Sequence, residues 1–322
     1  MDRLIRAALL GGAPFLLMLC PTAAQACASC GCTLSSDWLS QGLAAQPGTS
    51  LSLRYDYIPQ TSLASGTDSV DPAAITLPTD REIERYTYNH VVTATLDHQF
   101  ASDWGIDVQL PYYVRPHSTF AEDTTTPSHS NSEGLGNLKA MVRWQGLSTP
   151  GHVTGLEAGL VLPTGGFHKA FDGGPEQGEA VDRGLQPGTG TVQAVLSAYH
   201  FGALGSEVDY FVQATGQFAL DDREGYRPGT QVQATGALSY THWRGLTPQL
   251  QVNLRATARD SGINADRPNS GGEQVNVSPG FSAKLGERLT GFGFVQLPLY
   301  TRVNGYQLVP RATLSVGLVA HL

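Results

Sequence analysis

The stretch "LQVNLRATA", Leu250 to Ala258, alternates at every step. Leu250, Val252, Leu254, Ala256 and Ala258 fall on one side of an extended chain, and Gln251, Asn253, Arg255 and Thr257 on the other. Successive side chains of a strand point to opposite faces, so a period of two residues reads as strand rather than helix. The fold then turns on what the apolar face meets. In a soluble sandwich it would meet a second sheet; in a membrane barrel it would meet lipid, and the polar face would line the lumen.

The same alternation recurs along the chain. Leu51, Leu53, Tyr55 and Tyr57 oppose Ser52, Arg54 and Asp56, and Trp104, Ile106, Val108, Leu110 and Tyr112 oppose Gly105, Asp107 and Gln109. Twelve strands are predicted, at 49–58, 84–100, 104–114, 135–145, 152–163, 189–201, 207–220, 230–243, 247–259, 273–285, 289–300 and 307–322. Many reach the length that a tilted strand needs to cross a bilayer. The links after odd strands, such as 59–83, 115–134 and 164–188, are mostly long, polar and rich in Gly, Pro, Asp and Ser. Those after even strands, such as 101–103, 202–206 and 286–288, are short turns. A sandwich has no reason to sort its connections by parity. An outer-membrane barrel does, with long loops outside and short turns in the periplasm. Tyr57, Tyr86, Trp104, Tyr112, Tyr113, Trp144, Phe201, Phe218, Trp243 and Tyr300 near strand ends suit interfacial girdles. The fold expected is all-β: a transmembrane antiparallel up-and-down barrel of about twelve strands over 49–322, with both termini in the periplasm of a Gram-negative bacterium.

Residues 1–26 read as a signal peptide: Arg3 and Arg6, an apolar run from Ala7 to Cys20, then Ala24-Gln25-Ala26 before the cleavage point. Removal leaves 18 basic residues (20 less Arg3 and Arg6) against 27 acidic (28 less Asp2), a net charge of −9. That balance argues against nucleic acid as a partner. The partners expected are the lipid bilayer, lipopolysaccharide, a small-molecule permeant and a periplasmic protein. Acidic residues of the long links, Asp68, Asp172 and Asp222 among them, could bridge to lipopolysaccharide through divalent cations.

Several segments resemble one family. "EGLGNLKAMVRWQ" (133–145), "GLVLPTGGF" (159–167), "PGTGT" (187–191) and "LPLYTRVNGYQLVP" (297–310) are similar to the outer-membrane transporters named for the MetA pathway of phenol degradation. The resemblance covers most of 133–322 and weakens over 49–132. Asn137 stands where the family pattern usually has Asp. "CASCGC" (27–32) looks like the subset whose mature chain starts rich in cysteine. The resemblance implies a barrel and passage of small molecules, hydrophobic or aromatic ones among them. It supplies no catalytic residues.

If the apolar face meets lipid, the lumen candidates are Arg54, Arg85, Asp107, Lys139, Arg143, Glu157, Asp209, Arg255 and Arg311, with charges of both signs and no preference for anion or cation. Phe211, Phe292 and Phe294 also fall on the inward register, unless the glycine-rich strand 289–300 is out of phase. His90, His98, His200 and His242 fall on outward faces, opposite serines such as Ser197 and Ser239. No nucleophile is paired with a base, so no enzyme is expected.

Cys27, Cys30 and Cys32 precede the barrel, with a short helix expected near 35–45 in a segment (27–48) that hangs in the periplasm or plugs the lumen. Three thiols this close could hold copper(I) or zinc with a fourth ligand from elsewhere. They could equally form one disulfide with a thiol left for a partner, and lipidation of Cys27 is a third alternative. Gly31 follows Cys30 where c-type haem attachment needs His. The function expected is a channel or transporter for a small solute, with the cysteines binding metal or gating. The alternative is a non-conducting barrel serving as a periplasmic metal or redox docking module.

Overall fold

The computed structural model describes residues 47–322, apart from Arg244. The signal peptide, the three cysteines and the helix expected near 35–45 therefore lie outside the described residues. The described chain forms twelve barrel strands: β1 (Gly48–Gly66), β2 (Ile83–Gln99), β3 (Trp104–Phe120), β4 (Ser128–Leu135 continued by Leu138–Trp144), β5 (His152–Leu162), β6 (Gln193–Ala203), β7 (Val208–Ala219), β8 (Gln231–Tyr240), β9 (Leu246–Thr257), β10 (Gly272–Lys284), β11 (Leu289–Pro310) and β12 (Thr313–His321). Each strand pairs antiparallel with its neighbours in sequence. β12 returns to β1, from Ser50 opposite His321 to Tyr57 opposite Leu314, and closes the sheet. Closure leaves no edge strand and no unpaired backbone in lipid. Among the described residues no helix is long and apolar enough to cross a membrane.

Leu250 to Ala258 shows which face meets what. Leu250 and Leu254 are 47% and 46% exposed, while Gln251 and Asn253 are wholly buried. This barrel is apolar outside and polar inside, the reverse of a soluble core. Leu53, Leu96, Val142, Leu196, Val232 and Val316 extend the apolar belt around the wall. Trp104 and Trp144, with ring centroids 6.5 Å apart, mark its short-turn rim. Of the girdle residues expected, two instead face the lumen: Tyr113, one register step from the outward Tyr112, and Phe201, which lies opposite the buried Phe211 and packs against the inner aromatic cluster.

Three strands run farther than expected at the long-loop end. β1 continues to Gly66 and β3 to Phe120, while Ser128–Leu135 pairs with β3 where a loop was expected. Beyond the lipid neither face needs to be apolar, so these extensions carry no alternation to read. β11 includes a hairpin: Gly305 adopts φ +58°, and the chain after it runs back along β1, Tyr306 opposite Ser65 and Pro310 opposite Gln60.

Candidate functional site

The short-turn half of the lumen is filled by side chains. Arg143, 1% exposed, is held by a two-pronged ion pair to Asp97 (Nη1 to Oδ2 2.7 Å, Nη2 to Oδ1 3.0 Å). Its Nε and Nη2 also donate to Gln99 Oε1, at 3.3 and 3.2 Å. A buried charge is tolerated only with its partners satisfied in this way. Beside it lies an apolar layer of Tyr199, Phe211, Ala237, Phe292, Phe294 and Val319. Gln145 Nε2 donates to the Tyr199 hydroxyl at 2.6 Å.

The glycine-rich strand is in the register expected, with Phe292 and Phe294 inward. Its glycines and those of its neighbours explain how the rings fit. Phe294 pairs across the ladder with Gly280 and Phe292 with Gly317. A Cβ at Gly280 would come within 2.1 Å of the Phe294 ring, and one at Gly317 within 2.4 Å of the Phe292 ring. Each ring lies over the bare backbone of the adjacent strand, so large and absent side chains complement one another along the wall.

Toward the long loops the lumen opens into a cavity of about 440 Å³. Arg54, Lys139 and Arg255, three of the expected lumen residues, line it. Arg54 Nε donates to Asp56 Oδ2 at 2.8 Å, and Ser315 Oγ donates to the other oxygen of Asp56. Asp107 and Glu157 are buried on the inner wall, and Asp209 is half-buried near the short turns. Arg85 and Arg311 are exposed instead. Arg85 sits at a bulge between Glu84 and Tyr86, and Arg311 in the break between β11 and β12, next to the slip between Gln60 and Ser62; at both places inward parity is lost. At the first bulge Glu84 is the buried residue.

Two basic residues of the cavity carried no periodic signal. Arg115 lies on the part of β3 expected as loop, and Arg183 lies on the connection between β5 and β6. That connection folds into the barrel mouth as a strap with a small core of Phe171, Val181 and Leu185. Gln186 staples it, donating to the Lys169 and Val181 carbonyls at 2.9 and 2.7 Å and accepting from Lys169 N at 2.8 Å. Arg115 Nη1 ties it to the wall through the Gly184 and Gln186 carbonyls, at 3.1 and 3.4 Å. Arg183 donates to Thr189 O at 2.8 Å and lies 4.2 Å over the Phe167 ring.

Three of the sequence segments that carried the family resemblance meet at the foot of this strap. Asn137 donates through Nδ2 to Thr189 Oγ1 at 2.8 Å and accepts from Gly165 N at 3.2 Å. Thr164 Oγ1 donates to Gly136 O at 2.9 Å and accepts from Leu138 N at 2.9 Å. The glycines let the backbones touch: Gly188 N donates to Gly166 O, and a Cβ at Gly188 would strike Gly165. An amide at 137 serves here because the site needs both a donor and an acceptor.

The carboxylates of the mouth crowd one another. Burial pushes Asp182 well above the usual carboxylate range, and Glu82 and Asp266 add to the effect. Burial pushes Asp266 up to about 6 against the hydrogen bonds from Asn269. Among the described residues no three or more His, Cys, Asp or Glu side chains are grouped to hold a metal ion. The outward histidines engage the interface: His98 with Thr49, His90 with Tyr55, His200 with Thr154 and Tyr210, and His242 with Glu207.

No protein-family model matches the chain. No curated protein is similar to it in sequence. Among solved structures it is similar to the COG4313 outer membrane channel from Pseudomonas putida F1, with 12% identity, 86% of this chain and 96% of that chain covered, and a TM-score of 0.64. It is also similar to the transport unit of the autotransporter AIDA-I from Escherichia coli, with 9% identity, 85% and 90% of the two chains covered, and a TM-score of 0.52. At these identities the likeness is one of fold.

Proposed function

We propose that the protein is an outer-membrane channel that passes a small solute. The observation that carries this reading is the polar cavity of about 440 Å³ enclosed by a barrel whose outer wall is apolar. A wall built only to anchor the chain in lipid has no need of a roomy, charged interior. The fold of the P. putida channel and the family resemblance of 133–310 both support it. In this reading the barrel lies in the outer membrane of a Gram-negative bacterium with both termini in the periplasm. Residues 1–26 are removed, and Cys27, Cys30 and Cys32 stand at the periplasmic end, where they bind copper or zinc or act as a gate. The transporters of the MetA pathway of phenol degradation are the family proposed. Swelling of proteoliposomes in small sugars, amino acids and carboxylate salts tests the reading: swelling above that of empty liposomes in any of them supports it, and none in all of them contradicts it.

The packed short-turn half favours a second reading. Arg143, Phe211 and Phe294 are nearly inaccessible, so passage requires this layer to part. A barrel in which it never parts would be a docking module for a periplasmic partner or metal. Stoichiometric zinc or copper on a non-conducting protein would support that reading.

A further inference from the structure

The lumen cavity is charged against the grain of the molecule. The chain carries 28 acidic and 20 basic residues, yet the cavity is lined by Arg54, Arg115, Lys139, Arg183 and Arg255 and by only two carboxylates, Asp56 and Asp260. Asp56 is paired within the set, with Arg54, Asp260 is held by the fold, and Arg183 also lies 3.8 Å from Glu224. Asp56 takes Arg54 Nε and the Ser315 hydroxyl, and Asp260 takes Gly229 N at 2.7 Å and the Tyr226 hydroxyl at 3.0 Å. Lys139, half-buried, enters none of the ion pairs among the described residues. The low-dielectric wall of a barrel in lipid concentrates the field of such a set inside the lumen.

The rest of the lining is mixed. Ile58, Val91, Val161 and Tyr113 offer apolar surface between amides. Four of the five cations are arginines, whose planar fork matches a carboxylate better than a point charge does. We propose that this cavity selects small organic anions, carboxylates with an apolar body, over neutral and cationic molecules of the same size. The inference rests on the reading of the lumen as a solute path and adds the class of solute.

The test uses the purified mature protein and a Lys139→Gln/Arg255→Gln variant. These two residues are chosen because Arg115 and Arg183 hold the strap and Arg54 holds Asp56, whereas the bond from Arg255 Nε to Thr257 Oγ1 stays within one strand. Reversal potentials in planar bilayers under a KCl gradient give the anion-to-cation permeability ratio. Calorimetric titration with benzoate, benzyl alcohol and benzylammonium gives the equilibrium preference. The expected result is chloride over potassium and benzoate over both other probes. Each lost charge should weaken the preference about twofold, from Coulomb's law at cavity distances in a water-like dielectric. A cation-selective or unselective pore, or benzoate bound no better than the alcohol, overturns the inference and leaves the channel standing. A silent bilayer with benzoate still preferred removes the channel and leaves the anion site.

Discussion

At the scale of single residues, the inner wall separates groups that hold the barrel from groups that face solvent. Arg143 belongs to the first kind. Removing its partner strands a buried guanidinium, so Asp97→Ala should cost about 3–5 kcal/mol of unfolding free energy. Reversible denaturant unfolding in liposomes measures this, and a loss near zero would mean that water reaches the pair. Asp266 belongs to the mouth. Its carboxyl is raised from 3.8 to about 6, so its neutral form fits the folded loop. The stabilisation is therefore full below about pH 4 and is lost as pH rises through about 6. Protection of the 260–270 amides from hydrogen exchange, corrected for intrinsic rate, should fall about tenfold from pH 4 to pH 7, and Asp266→Asn should remove most of that dependence. Arg85 and Arg311 show where parity fails as a guide to single residues. One bulge inverts the inside and outside of everything beyond it, and a bulge leaves no mark in composition.

At the scale of elements, the twelve strands were legible wherever lipid acts on one face. Leu250 to Ala258 alternates because every second residue meets hydrocarbon. An arginine there is costly, and Leu254→Arg should destabilise the barrel by about 2–4 kcal/mol in a bilayer if the position lies near midplane. The same liposome unfolding measures it; a soluble sheet would tolerate the change at so exposed a site. The extension of β3 to Phe120 and its pairing with Ser128–Leu135 were hidden, because outside lipid both faces are polar. The strap was hidden for a different reason. Its fold rests on glycine contacts, Gln186 and a small core, none of which has a period. Glycine–aromatic complementarity gives the aromatic layer its own test. Gly317→Val should destabilise by about 1–3 kcal/mol through overpacking against Phe292, and adding Phe292→Ala should cost less than the sum of the two single changes. Additive effects would place the ring elsewhere.

At the scale of the whole molecule, an acidic chain encloses a basic cavity between a strap at the long-loop end and a packed layer at the short-turn end. The barrel and its polar interior could be read from strand period and loop parity. The sign of the cavity could not, since two of its five cations come from Arg115 and Arg183, on segments without alternation. Passage of a solute requires the layer of Phe211, Phe292 and Phe294 to part, and the function proposed assigns the gating of that step to residues 27–48. Single-channel recording in planar bilayers tests this most directly, comparing the mature chain with one lacking residues 27–48. Discrete conductance steps are expected from the mature chain, with longer open times when residues 27–48 are absent. Silence from both, in protein that keeps its strand content in the same lipid, would contradict a channel.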